Sequence, residues 1–133
     1  MSAIVLIVDD SLVFRAHLLE LLGTVRPTWT LLEAPDMATG LAILGERSDI
    51  DLLLTDLQLG PQQTGLDLLD LARTFHPHEA GWWQGLHKVL MTDGGKLSPT
   101  DLPHLTTLGA RILPKPTPQT VGTFLAALDE ALA

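Results

Sequence analysis

Apolar positions fall into short, almost unbroken runs that alternate with stretches of helical spacing, and the alternation repeats five times. The runs Ala3 to Val8, Asp51 to Thr55 and Lys88 to Thr92 have the near-continuous apolarity of central strands covered on both faces. Trp29 to Ala34 and Ala110 to Leu113 each contain a polar or charged residue, which suits strands at the two rims. Phe14, Leu18, Leu21, Leu22 and Val25 share one helical face behind a Ser11 cap, and Met37, Leu41 and Leu44 follow an Asp36 cap. Leu68, Ala72 and Phe75 form a third stripe. Val121, Leu125, Leu128 and Leu132 form the last, with Thr117 and Pro118 as its cap and first-turn pair. Ser98, Pro99 and Asp101 signal one further helix, which Pro103 keeps short or late-starting. Strands and helices in strict alternation predict an α/β fold, a doubly wound five-stranded parallel sheet flanked by five helices.

Composition narrows the function. The 133 residues suit a single domain, 1–133. The longest unbroken apolar run, Ala3 to Val8, is far below the roughly 18 residues that span a bilayer, so no membrane association is expected. That run ends in two aspartates and not in a cleavage site, and there is no cysteine; both features point to the cytoplasm. With 16 acidic against 8 basic residues the net charge is -8, and the basic residues are scattered from Arg15 to Lys115, so nucleic acid is excluded as a partner.

In an open parallel sheet, ligands bind beyond the carboxyl ends of the strands. Those ends carry Asp9 and Asp10, Asp56, Thr92 and, just beyond the fifth strand, Lys115. Carboxylates gathered at one point repel by about 4 kcal/mol per pair at 4 Å with an effective dielectric of 20. A hard divalent cation neutralises them, and magnesium typically takes a few carboxylate oxygens while leaving room for a phosphate oxygen. A carboxylate beside such an ion can attack phosphorus to give an acyl phosphate, and a hydroxyl and an ammonium can bind the remaining phosphoryl oxygens.

With these residues in place, the chain resembles the response-regulator receiver family over its whole length. The resembling segments are Ile4-Val5-Leu6-Ile7-Val8-Asp9-Asp10-Ser11, Leu52-Leu53-Leu54-Thr55-Asp56, Val89-Leu90-Met91-Thr92, and Gly109-Ala110 through Lys115-Pro116. The resemblance implies a flavodoxin-like sheet of order 2-1-3-4-5 and Asp56 as phosphoacceptor. It implies a magnesium ion held directly by Asp10 and Asp56, mainly through water by Asp9, and by the backbone carbonyl of Gln58. Thr92 would contact the phosphoryl group, Lys115 would pair with Asp56 and its phosphate, and the Lys115-Pro116 bond would be cis. The donor would be a histidine kinase or histidine phosphotransfer protein and the output a downstream protein target. The chain would be no enzyme beyond its own phosphorylation and dephosphorylation.

Four features depart from the family pattern. The loop Leu57 to Gly65 is one residue longer than usual, an insertion expected to be harmless because it falls after Gln58. Asp93 replaces a small residue; its carboxylate either obstructs phosphodonors or, beside Gly94 and Gly95, points to solvent. Ile112 stands where a switch tyrosine or phenylalanine is usual. The connection from His76 to His87 is long and contains Gly81-Trp82-Trp83-Gln84-Gly85, read as a lid folded back onto the domain or as a partner contact. His76, His78 and His87 lack metal-site spacing and are expected to be solvated.

Three rival functions remain. An aspartate-nucleophile phosphatase needs an acid where Gln58 stands, and a flavin carrier would have its cofactor phosphate repelled by Asp9-Asp10-Ser11. The third is a degenerate receiver that binds protein without phosphorylation, favoured by Asp93 and Ile112 and opposed by intact Asp10, Asp56, Thr92 and Lys115.

Overall fold

The computed structural model describes residues 2–75, 78, 81–93 and 98–133. Five strands, β1 (Ile4–Val8), β2 (Thr30–Ala34), β3 (Leu52–Asp56), β4 (His87–Thr92) and β5 (Ala110–Pro114), form one parallel sheet in the order β2-β1-β3-β4-β5. The two weaker apolar runs, β2 and β5, are the edges, as the sequence predicts, and the three near-continuous runs, β1, β3 and β4, are the central strands.

Side-chain alternation along the strands splits the interior into two layers. Leu6, Val8, Leu53 and Leu90 pack on one face with Leu44, Leu68 and Leu105, whereas Val5, Ile7, Leu52, Leu54 and Met91 pack on the other with Leu18, Leu22, Phe124 and Leu128. The helices are α1 (Leu12–Val25), α2 (Met37–Glu46), α3 (Gly65–Phe75), α4 (Trp82–Gly85), α5 (Asp101–Leu108) and α6 (Val121–Leu132). Ser11 Oγ accepts from Phe14 N at 3.2 Å and Asp36 Oδ1 from Thr39 N at 2.8 Å, so both expected caps form.

Two local expectations are corrected. Among the described residues there are six helices, not five: α4 is a single turn closed by Gly85 N and Leu86 N, entered through Gly81 at φ 96°. Helix α6 starts later than Thr117 and Pro118 suggest, because Thr117 O accepts from both Thr120 N (3.0 Å) and Val121 N (2.9 Å) and forms a turn first. Helix α5 is short and starts only at Asp101, as expected; Pro103 is its third residue, where a missing N–H breaks no helical bond.

At the start of β4, Lys88 is 6% exposed. Its Nζ donates to Trp83 O at 2.7 Å and lies 4.3 Å from the Trp83 ring centroid. Burial, with the nearby Arg73 charge, pulls its pKa from 10.5 to about 8. Between those values the unfolded chain binds more protons than the folded one, so stability must rise as pH increases from 8 to 10.5. The gain is up to about 3 kcal/mol at roughly 1.4 kcal/mol per pKa unit. With no tyrosine or cysteine titrating in this window, the rise is readable by urea denaturation at stepped pH, and it should vanish in Lys88→Met.

Candidate functional site

Parallel register brings the polar strand ends together. Asp56 pairs with Met91 and Thr92 with Pro114, so the chain past β5 delivers Lys115 beside the ends of β1 and β3, with Lys115 N donating to Thr92 O at 2.7 Å. One oxygen from each of Asp9, Asp10 and Asp56 lies within 4.8 Å of the others. Asp9 is fully buried, Asp56 is 8% exposed and Asp10 is exposed. Asp9 Oδ1 accepts from Ser11 N at 2.8 Å. Its Oδ2 faces Lys115 Nζ at 2.9 Å, an ionic contact in which nothing makes a well-angled hydrogen bond to that oxygen.

Lys115 is the shared counter-ion, with Nζ also 3.4 Å from Asp56 Oδ2 and 4.2 Å from the Phe14 ring centroid. Burial opposes its charge, but the close ionic contact with Asp9 and the fields of Asp9 and Asp56 outweigh this and raise its pKa. Asp56 is also held above the usual carboxylate range, first by burial and then by Asp9, against the pull of Lys115 and of Gln58 N at 3.3 Å. Asp9 and Asp56 thus share one ammonium. A buried carboxylate oxygen without a well-angled hydrogen bond, in an all-oxygen donor set of like charge, fits a hard divalent cation.

The loop after Asp56 closes as a small hairpin. Gln58 and Thr64 bridge antiparallel, Leu59 N donates to Gln63 O at 2.9 Å, and Gly65 N donates to Leu57 O at 2.8 Å. The turn of that hairpin lies beyond Gln58. Gly65 must lack a side chain, since a Cβ there would lie 2.6 Å from Asp56 O.

Two sequence expectations fail here. The Lys115-Pro116 peptide is trans, since no described residue has a cis bond. The trans form, favoured by about 0.5–1 kcal/mol for such bonds, already lets Nζ reach both carboxylates. His78 is not solvated: its Nε2 lies 2.6 Å from Leu44 O and its ring meets Trp82 edge-on at 5.0 Å. His87 is half-buried at the start of β4, while His76, Gly94 and Gly95 lie outside the described residues. Trp83 is buried and Trp82 half-buried against the core, the folded-back arrangement of the two considered. Asp93 is exposed and lies outside the carboxylate group, and Ile112 is half-buried.

Sequence reasoning missed Arg15. This buried guanidinium on α1 donates through Nη1 to Asp9 O at 2.7 Å and through Nε to Glu33 Oε1 at 3.1 Å, tying the end of β1 to β2. The available signal was a lone cation one helical turn past the Ser11 cap, the position that faces back to the strand end. Phe14, read only as core, also forms the floor under Lys115.

Because the folded-state pKa of Asp56 is raised, its ionisation costs stability. That contribution is intact below the ordinary carboxylate pKa and is lost as pH rises through the raised value. Asp56→Asn should therefore raise the metal-free Tm at pH 7 by roughly 3–6 °C, about 1 kcal/mol for a chain this size, with the gain fading toward pH 4. Thermal denaturation in chelator across that range measures it.

No family model matches the sequence, and no curated protein matches it. Solved structures do. A chemotaxis response regulator of Vibrio cholerae superposes with TM-score 0.77 at 23% identity, over 99% of this chain and 100% of that one. A response regulator receiver domain of Clostridium thermocellum gives TM-score 0.75 at 26% identity, over 98% and 94%. The signal receiver domain of an HD domain-containing protein of Pseudomonas fluorescens gives 0.73 at 26%, over 98% and 86%. Along nearly its whole length, the chain is a receiver-fold domain like those of the response regulators.

Proposed function

We propose that the protein is a phosphoacceptor receiver domain of two-component signalling, taking a phosphoryl group onto Asp56. The observation that carries this reading is the position of Asp56. It closes β3 with Asp9 and Asp10 on one side and the Lys115 ammonium 3.4 Å away on the other. The described helices include none long and apolar enough to cross a membrane, consistent with a cytoplasmic domain served by a histidine kinase or phosphotransfer protein.

Asp9, Asp10, Asp56 and the carbonyl of Gln58 would hold magnesium, which when bound supplies charge neutralisation and a Lewis acid for a phosphoryl oxygen. The chain's own residues do the rest. Asp56 is the nucleophile, its carboxylate oxygen bonding to phosphorus as the P–N bond to the donor histidine breaks and the imidazole nitrogen leaves. Lys115, held by Asp9 and Phe14, moves its donors toward the transferred oxygens as Asp56 loses charge, and Thr92 offers its hydroxyl to the same group. Arg15 fixes the Asp9 backbone so that the acidic pair keeps its direction.

Intact-mass measurement after incubation with magnesium and acetyl phosphate should show one added phosphoryl group, absent in Asp56→Asn and without magnesium. An unmodified wild-type chain would favour the phosphorylation-independent binding module. Asp93 lies next to Thr92 and is exposed, which places a negative charge near the path of an anionic donor. Asp93→Ala should be phosphorylated two- to fivefold faster at low ionic strength, with the difference shrinking at high salt as the exposed charge is screened. Rates equal at every ionic strength would mean that the carboxylate faces away from the donor.

A further inference from the structure

At the end of the sheet opposite Asp56, an open cavity of about 330 Å³ lies between α4, α5 and the starts of β4 and β5. Its polar lining includes Lys88, Arg111 and His87; its apolar lining includes Trp83, Leu86 and Leu108. In a chain of net charge -8 no carboxylate lines it among the described residues. We propose that this cavity binds a small organic anion, its acid group on Lys88 and Arg111 and its apolar body against Trp83, Leu86 and Leu108.

Three observations carry the argument. The Lys88 ammonium has three donors, and the structure provides a carbonyl, Trp83 O, and the Trp83 ring, but no carboxylate within ion-pair distance among the described residues. The charge that acts on it, Arg73 on α3, is of its own sign, and Arg111 on β5 lines the same cavity, ion-paired at 3.7 Å with the exposed Glu130 of α6. A buried cation without a counter-ion is costly and is relieved by a bound anion. The volume then selects among anions, because it lies in the range of small-molecule sites, larger than inorganic phosphate needs, and half of its wall is apolar.

A lysine present only to hold the α4 carbonyl would require neither the cavity nor a second cation in its lining. The binding reading is independent of phosphorylation at Asp56, since the two sites share no residue.

Benzoate is a suitable probe, with inorganic phosphate as the comparison. Calorimetry and tryptophan fluorescence should show saturable benzoate binding in the millimolar range or tighter at pH 7. Affinity should be at least tenfold weaker in Lys88→Met, an apolar replacement of similar length expected to fold, and severalfold weaker in Arg111→Gln. Phosphate should compete poorly. The proposal is overturned if benzoate does not saturate, if both variants bind it as wild type does, or if phosphate binds as tightly as benzoate.

Discussion

The structure depends on reconciling three carboxylates with a fold that puts them in one place. Asp9 and Asp10 follow β1 and Asp56 ends β3, and parallel pairing of these adjacent strands leaves their carboxyl groups no room to separate. At an effective dielectric of 20 each pair at contact costs about 4 kcal/mol, comparable to a large part of a domain's net stability. Lys115 bears most of that burden within the protein. It contacts two of the three acids and comes from a strand two places away in the sheet, so it can arrive only once β3, β4 and β5 are in register. Site and topology are therefore coupled: a one-residue slip of β5 would bury the wrong face and withdraw the ammonium as well.

The same constraint explains why the chemistry sits only at strand ends. β1, β3 and β4 present apolar side chains to two separate layers, so a charged residue midway along any of them would be desolvated without a partner. Even Thr55, one residue before Asp56, is fully buried and turns its hydroxyl to the Asp56 carbonyl. Beyond the last buried position backbone donors become available: Ser11 N serves Asp9 and Gln58 N serves Asp56.

What could be read in the sequence follows from this division. Continuous apolar runs marked the covered strands, broken ones the edges, and the residue after each run the site, because two-sided burial leaves a strong compositional trace. Functions that depend on three-dimensional proximity left little trace. Arg15 reads as one polar residue on an amphipathic helix, and only the packing of α1 over β1 shows that it grips the Asp9 carbonyl. Phe14 reads as core because cation–π contact and core packing ask for the same residue type. The one-turn α4 was hidden because four residues carry no helical period, and His78 because its partner, Leu44 O, is a backbone atom on another helix. The trans Lys115-Pro116 bond was misjudged because family habit, not local packing, suggested the isomer.

Helix polarity links the two ends of the sheet. In this topology each helix that follows a strand begins near the carboxyl ends of the strands and finishes near their amino ends, so positive helix termini gather around the acids and negative ones around the opposite edge. The acidic pair meets the capped start of α1 through Ser11. Lys88 meets the finishing ends of α4, through Trp83 O, and of α5, where Gly109 in the left-handed conformation leaves open space beside Nζ. The backbone thus favours anions at one end and a cation at the other before any side chain is paired. That field supplies a tenth or so of what full neutralisation needs, at roughly 0.3–1 kcal/mol per helix end, against several kcal/mol of repulsion or desolvation. Among the described residues both ends consequently keep an imbalance of charge: Asp9 Oδ2, though 2.9 Å from Lys115 Nζ, lacks a well-angled hydrogen bond in a group of three acids, and Lys88 meets no carboxylate. An unmet buried charge holds free energy that a ligand of opposite sign can release, and on this ground the acidic end suits a metal cation and the basic end an organic anion.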